Sequence, residues 1–341
     1  MGFVLAPASR GRASGGGRHL IDPQGRHLRY LRLSVTDRCN LRCRYCMGAA
    51  GLDWIPRQEI LTWGELERLV RIAVGLGVRK VRITGGEPFV RRGTVDFLAR
   101  IRRLSGVEEL CVTTNGVGLA PRVADLAAIP LDGVNLSLDA LDRERFHQMS
   151  RRDRLGDVLA TLDGLVASGM RVKVNTVVVA GMNDGEIVGL AELARSRPIE
   201  VRFIEAMPFD GDGTRHTGWP APRILAHLRA HLGPLTDAGG GGTAMRYQVA
   251  GFVGRVGIIA GESRAFCATC DRLRVTARGQ VKSCLYGEPT ASLLPLLRSG
   301  ASDGEIAAAL RGAVAKRHAD GFASEAARGN RLAVSMAAIG G

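Results

Sequence analysis

The chain has 341 residues, 45% of them hydrophobic and 23% charged, which is enough for a large core and polar enough for a folded soluble protein. A formal net charge of +14 favours anionic partners, although arginines scattered over the surface would give the same total. Aromatic residues are only 5%, too few for the interleaved rings of a nucleic-acid stacking platform, and no run of about 18 apolar residues predicts a membrane span.

Residues 1–17 are rich in Gly, Ser, Ala and Arg and are expected to be a disordered extension; they lack the apolar stretch of a secretory signal. Strands and helices then alternate. Strands are predicted over 30–34, 78–84, 109–114, 133–138, 171–179 and 199–205, rich in Val, Ile, Leu and Thr as buried parallel strands are. Helical periodicity fills the gaps over 94–104, 122–129, 157–168 and 184–195. Thr62 and Glu65 form a capping box that opens a further helix reaching residue 76. Six such units imply a parallel sheet with right-handed crossovers, doubly wound or curled into a barrel. Polar residues gather at the predicted strand ends, so one mouth is expected to hold the chemistry. Beyond about residue 235 the pattern changes to a helix at 222–232, a glycine-rich linker, short strands over 246–250, 255–259 and 272–276, and helices over 292–298 and 302–315.

Six of the seven cysteines fall into two triplets. Cys39, Cys43 and Cys46 form a C-x3-C-x2-C loop after the first strand, and Cys267, Cys270 and Cys284 form a C-x2-C-x13-C group. A closed zinc site takes four ligands. Iron–sulfur clusters are held by cysteine thiolates at such short spacings, and a four-iron cluster with three cysteines keeps one iron open to a small molecule. A zinc knuckle that borrows a fourth ligand is the alternative. Metal ligation of this kind suits a reducing cytoplasm better than disulfides do. Cys111, the seventh, reads as a small buried hydrophobe. His227 and His231 are four apart on a helix, with no third ligand nearby.

The run Cys39-Asn40-Leu41-Arg42-Cys43-Arg44-Tyr45-Cys46 resembles the signature of radical S-adenosylmethionine (SAM) enzymes, and Gly85-Gly86-Glu87-Pro88 fits the same family. Residues 266–276 with Cys284-Leu285 resemble one branch of it, the GTP 3′,8-cyclase family of molybdenum-cofactor biosynthesis. The resemblance extends to the tail Gly340-Gly341. It implies an α/β fold: an incomplete (β/α)6 TIM-type barrel over 18–235 and a C-terminal α+β module over 236–341 that closes one side.

The resemblance also implies roles. Cys39, Cys43 and Cys46 would hold one 4Fe–4S cluster, and Cys267, Cys270 and Cys284 a second. Tyr45, Gly86, Ser137 and Met207 match positions that contact SAM. Arg32, Arg82, Thr113, Lys173, Arg272, Leu273 and Arg274 match positions that contact GTP, and Gly340 and Gly341 form a tail directed at the active site. Reductive cleavage of SAM would yield a 5′-deoxyadenosyl radical that takes the 3′ hydrogen of GTP. Attack on guanine C8 would then lead to 3′,8-cyclo-7,8-dihydro-GTP. The family further implies an electron donor such as flavodoxin or ferredoxin, a downstream cyclic pyranopterin monophosphate synthase, a homodimer, and neither nucleic acid nor membrane as partner.

The residues carry part of this alone. Arg272 and Arg274 share one face of a strand, and a guanidinium fork suits phosphate. Arg32, Arg82 and Lys173 lie in predicted buried strands, where an unpaired charge is costly, so a polyanion is a sensible partner. Pairing with Glu87, Asp139 or Glu205 is the competing explanation. Taken singly, Thr113 and Ser137 are strand-end hydroxyls, Met207 is core, the glycine pair at 85–86 is a turn and the tail is a frayed end. Gln24, Gly48 and Ala265 depart from residues common in relatives without removing a ligand. A metal-stabilised nucleic-acid module and a radical SAM enzyme with another substrate, such as a peptide, remain as other readings.

Overall fold

A computed structural model describes residues 19–340 except 212, 215, 240, 241 and 330–333. The extension at 1–17 and Gly341 lie outside the described residues. Six parallel strands follow in chain order: β1 (Tyr30–Ser34), β2 (Lys80–Thr84), β3 (Glu109–Thr114), β4 (Gly133–Ser137), β5 (Val172–Val178) and β6 (Glu200–Glu205). Helices α1 (Trp63–Gly75), α2 (Thr94–Arg102), α3 (Val123–Ala127), α4 (Arg143–Ser150), α5 (Leu155–Ala167) and α6 (Ile187–Ser196) lie between them, and α7 (Ala221–Leu232) follows β6. The capping box at Thr62 and Glu65 is present at the start of α1. Such a cap contributes about 1 kcal/mol.

The remaining strands do not close one side only, as the sequence suggested; they flank both edges of the six-stranded sheet. Strands β7 (Leu235–Asp237), β8 (Ala244–Val249) and β9 (Arg255–Ile259) extend the β6 edge, with β9 parallel to β6. Strand β10 (Arg272–Val275) pairs parallel with β1, and β11 (Gln280–Lys282) and β12 (Ala291–Ser292) lie beyond it. Helices α8 (Leu294–Arg298), α9 (Asp303–Ala315), α10 (Gly321–Arg328) and α11 (Met336–Ile339) end the chain. The described sheet therefore runs β12-β11-β10-β1-β2-β3-β4-β5-β6-β9-β8-β7.

The parallel strands alternate in a way their aliphatic content hides. Leu31, Leu33, Val81, Ile83, Val174 and Phe203 are fully buried in the main core. Each such side chain stabilises by about 1.5–3 kcal/mol on burial. The residues between them point to the opposite face, because side chains alternate along a strand. That face carries charge. Arg32 stands between Arg82 on β2 and Arg274 on β10, and Tyr30 between Lys80 and Arg272. An interior of branched aliphatic residues would fill itself. This one encloses a cavity of about 810 Å³.

Candidate active site

The cavity runs along the strands, and the two cysteine triplets lie at its two ends. The first follows the C-terminal end of β1. Cys270 precedes the N-terminal end of β10, which is parallel to β1. Cys39, Cys43, Cys46 and Cys270 all line the cavity. The expectation of a single chemical mouth is therefore corrected: β10, supplied from late in the chain, brings the second triplet to the opposite end. A five-residue strand separates the ends by roughly 16 Å at ~3.3 Å per residue.

The first triplet sits in a loop wrapped by main-chain bonds. The N–H groups of Arg42 and Arg44 donate to Ser150 O and Met149 O, both at 2.9 Å, at the end of α4. Arg151, with φ 53, caps that helix and donates from Nη1 to Arg42 O and Met47 O. Cys39 Sγ accepts from Leu41 N at 3.4 Å and from Asn115 Nδ2 at 3.6 Å. Burial pushes the Cys39 thiol up to about 12 and the Cys46 thiol up to about 11. Burial also raises Cys43 well above its ordinary value.

The residues expected at SAM border this loop. Tyr45, Gly86, Ser137 and Met207 line the same cavity. Tyr45 donates its hydroxyl to Asp139 Oδ2 at 2.7 Å. Burial pushes Asp139 up to about 6, against the pull of that bond and of Val177 N–H. Gly86 approaches protein rather than open space: a Cβ there would lie 2.4 Å from both Asp37 O and Arg38 O. The following Glu87 is buried and accepts from Phe89 N, Thr114 Oγ1 and Asn115 N. It thereby holds the main chain at Asn115, whose side-chain Nδ2 meets Cys39.

The wall between the two ends is cationic. Arg32, Arg82, Lys173, Arg272 and Arg274 all face the cavity, with Thr113 beside them. Arg82 Nε donates to the Tyr30 hydroxyl at 2.5 Å and Nη1 to Val112 O at 3.0 Å. Burial would raise the Tyr30 phenol, but the Arg82 and Arg32 charges bring it down to about 8. Burial and the neighbouring Arg202 press Lys173 down to about 8. Burial, Arg32 and Arg272 together hold Arg274 well below the usual guanidinium value. Leu273 lies between the two arginines of β10, its side chain fully buried in the core, and it is not among the residues that line the cavity.

The acids proposed as counterions are occupied elsewhere. Glu87 and Asp139 make the bonds described above, and Glu205 accepts from Ser263, Glu262 N and Ala221 N. Residues that sequence reading missed complete the wall: Tyr30, Lys80, Arg202, Asn135 and Asn175. Their strand parity is the signal that finds them. Asn135 Oδ1 and Asn175 Oδ1 are buried without a hydrogen-bond partner among the described residues.

At the other end Cys267, Cys270 and Cys284 share a small adjoining pocket. Arg272 Nε reaches Cys270 Sγ at 3.3 Å. Burial would raise the Cys270 thiol, but Arg272 and Arg317 bring it down to about 7. Among the described residues no three His, Cys, Asp or Glu side chains gather closely enough to hold a single metal ion. The tail enters from the first-triplet end. Ser335 Oγ donates to Cys46 O at 2.6 Å, and Arg274 Nη1 donates to Gly340 O at 3.1 Å. At φ 79, Gly340 fits so closely that a Cβ would lie 2.8 Å from Ser34 Cβ.

Comparison with known proteins bears on the family. Residues 33–194 match the model of the Radical SAM superfamily, and residues 199–322 match Molybdenum Cofactor Synthesis C. The GTP 3′,8-cyclase of Heliobacterium modesticaldum is 43% identical over 301 residues, covering 86% of this chain and 92% of that relative. Those of Paenarthrobacter nicotinovorans (44% over 322 residues, 88% and 89%) and Geobacter sulfurreducens (41% over 337 residues, 94% and 99%) are similar. Among solved structures, Streptococcus suis SuiB bound to S-adenosylmethionine superposes with a TM-score of 0.60 at 14% identity, over 83% of this chain and 69% of that one. At that identity the likeness concerns the fold alone. With two family models in series and relatives covered almost end to end, the chain belongs to the GTP 3′,8-cyclase family of the radical SAM superfamily.

Proposed function

We propose that this chain is a radical SAM lyase that converts GTP to 3′,8-cyclo-7,8-dihydro-GTP in molybdenum-cofactor biosynthesis. The observation that carries the reading is the pair of thiol triplets at opposite ends of one cavity with a cationic wall. The fold is then an incomplete (β/α)6 barrel over about 18–235, with a C-terminal module over 236–341 contributing the second metal site and the tail.

The residues fit two 4Fe–4S clusters. Each triplet offers three thiols with N–H donors beside them, and iron makes buried thiolates viable where a lone thiolate is costly. Cys39, Cys43 and Cys46 would hold the first cluster and Cys267, Cys270 and Cys284 the second. When bound, the first cluster supplies the electron that cleaves SAM, giving the radical that takes the 3′ hydrogen of GTP. Tyr45, Gly86, Ser137 and Met207 border SAM in this reading. Arg32, Arg82, Thr113, Lys173, Arg272, Arg274 and the main chain of Leu273 orient GTP, with its triphosphate on the cationic wall. Gly340 supports the active site from the tail in this reading, and Gly341, which the resemblance pairs with it, lies outside the described residues. The task of these residues is positioning the reacting centres away from water. A flavodoxin or ferredoxin as electron source, a downstream cyclic pyranopterin monophosphate synthase, a homodimer and a cytoplasmic location belong to the same reading. Among the described residues no helix is long and apolar enough to cross a membrane.

Anaerobic purification with iron and sulfide counts, followed by turnover with SAM and GTP, tests it. The product should be an isomer of GTP, since one hydrogen leaves and one proton and electron return. Cys39→Ser, Cys43→Ser and Cys46→Ser should each abolish SAM cleavage. Zinc in place of iron, or cleavage retained in these variants, refutes the reading.

A further inference from the structure

A segment that precedes β1 closes off the second triplet. Asp22 is buried, and its Oδ1 accepts from Gln24 N at 3.0 Å and Arg26 N at 2.9 Å. Its Oδ2 takes Arg26 Nε at 2.6 Å and faces Arg317 Nε at 3.5 Å. Arg26 directs its other N–H groups to carbonyls: Nη1 to Cys267 O and Ala319 O, both at 2.8 Å, and Nη2 to His318 O at 3.1 Å. One carboxylate thus links the start of the chain, the Cys267 loop and the segment around His318.

Arg317 is engaged differently. It is only 5% exposed, and its Nη1 has no hydrogen-bond partner among the described residues. It lines the small pocket shared by Cys267, Cys270 and Cys284, and it does not line the large cavity. Its charge acts on the Cys270 sulfur together with that of Arg272. A buried donor left unpaired is costly, so such a group calls for a partner. The ion pair to Nε fixes the guanidinium plane, so the free N–H is held at a pocket whose other walls carry three thiols.

We infer that Arg317 is a positioning residue of the second site: Asp22 orients it so that Nη1–H donates to a sulfur of the group held by Cys267, Cys270 and Cys284. The inference rests on the reading that this triplet carries a 4Fe–4S cluster. A donor and a fixed positive charge beside a cluster favour its reduced, more negative state, so Arg317 raises its reduction potential. Cluster potentials follow hydrogen bonds to sulfur and net charge in this way.

The test uses the full chain carrying Cys39→Ser, Cys43→Ser and Cys46→Ser, so that only the second site binds iron. A count of about four irons per chain upholds the cluster reading; a chain without iron sinks that reading itself. With the cluster present, the midpoint read by an EPR-monitored titration should move to a more negative value in Arg317→Gln and move less in Asp22→Asn. An unchanged midpoint at full iron content overturns the inference. If Arg317→Gln loses iron, Arg317→Lys decides, because it keeps charge and length without the planar fork. A displaced midpoint there upholds the inference. An unchanged midpoint, or iron loss there too, reduces Arg317 to structural support.

Discussion

Arg274→Met separates a wall built for a ligand from one built for the fold. Arg274 is 6% exposed, and burial together with Arg32 and Arg272 disfavours its charge. Among the described residues its one hydrogen bond goes from Nη1 to Gly340 O at 3.1 Å. Losing a bond to a charged donor costs about 1.5–3 kcal/mol. Replacing a buried charge by an apolar side chain of similar length is commonly neutral or stabilising by about 1–4 kcal/mol. These effects nearly cancel, so the ligand-free melting midpoint should stay within roughly 4 °C of the parent chain. The triphosphate has no such compensation. Each charge-assisted bond lost costs about 1.5–3 kcal/mol, or about 10- to 150-fold in Kd. Anaerobic calorimetry with GTP, paired with thermal melts, reads both quantities. A Kd within about twofold of the parent refutes the ligand role. So does a stability loss of about 2–5 kcal/mol, the size of a core truncation.

Two further outcomes follow from the same wall and its entrance. Lys173 is charged below about 8 and neutral above it, so GTP affinity should fall as pH rises through that value. Lys173→Gln should flatten the slope in a calorimetric pH series, and an unaltered profile would assign the titration to another group. Gly86→Ala would place a Cβ 2.4 Å from Asp37 O and Arg38 O. Such overpacking costs about 1–3 kcal/mol. It should shift the approach to Cys39, lowering the melting midpoint and the iron at the first triplet while sparing the second. Full iron at both sites would show that the backbone yields there.

The sequence made the parallel core legible and its surroundings less so. Strands β1, β3 and β9 lie where the pattern puts them, because each is an unbroken β-rich run. Helix α4 escaped notice because Arg143–Ser150 is short and mostly polar, yet its carbonyls hold the cysteine loop. The charged wall was half visible: Lys80, Arg82 and Thr84 alternate with Val81 and Ile83, but the aliphatic residues drew the eye to burial on both faces. The β1–β10 pairing leaves no local trace, because partners such as Tyr30 and Arg272 are 242 positions apart in the chain. That pairing decides which end of the cavity the second triplet occupies. The buried acids, offered by the sequence as an alternative set of counterions, serve the main chain and hydroxyl groups instead.

The late arrival of β10 also orders assembly. During synthesis the main-chain bonds that wrap the first cysteine loop, all made by residues up to 151, can form while β1 still shows a bare edge, and only the Ser335 bond to Cys46 O is added late. The second metal site has to wait for nearly the whole chain, and contacts that distant close slowly. Until then the β1 edge is an open template for mispairing with another nascent chain.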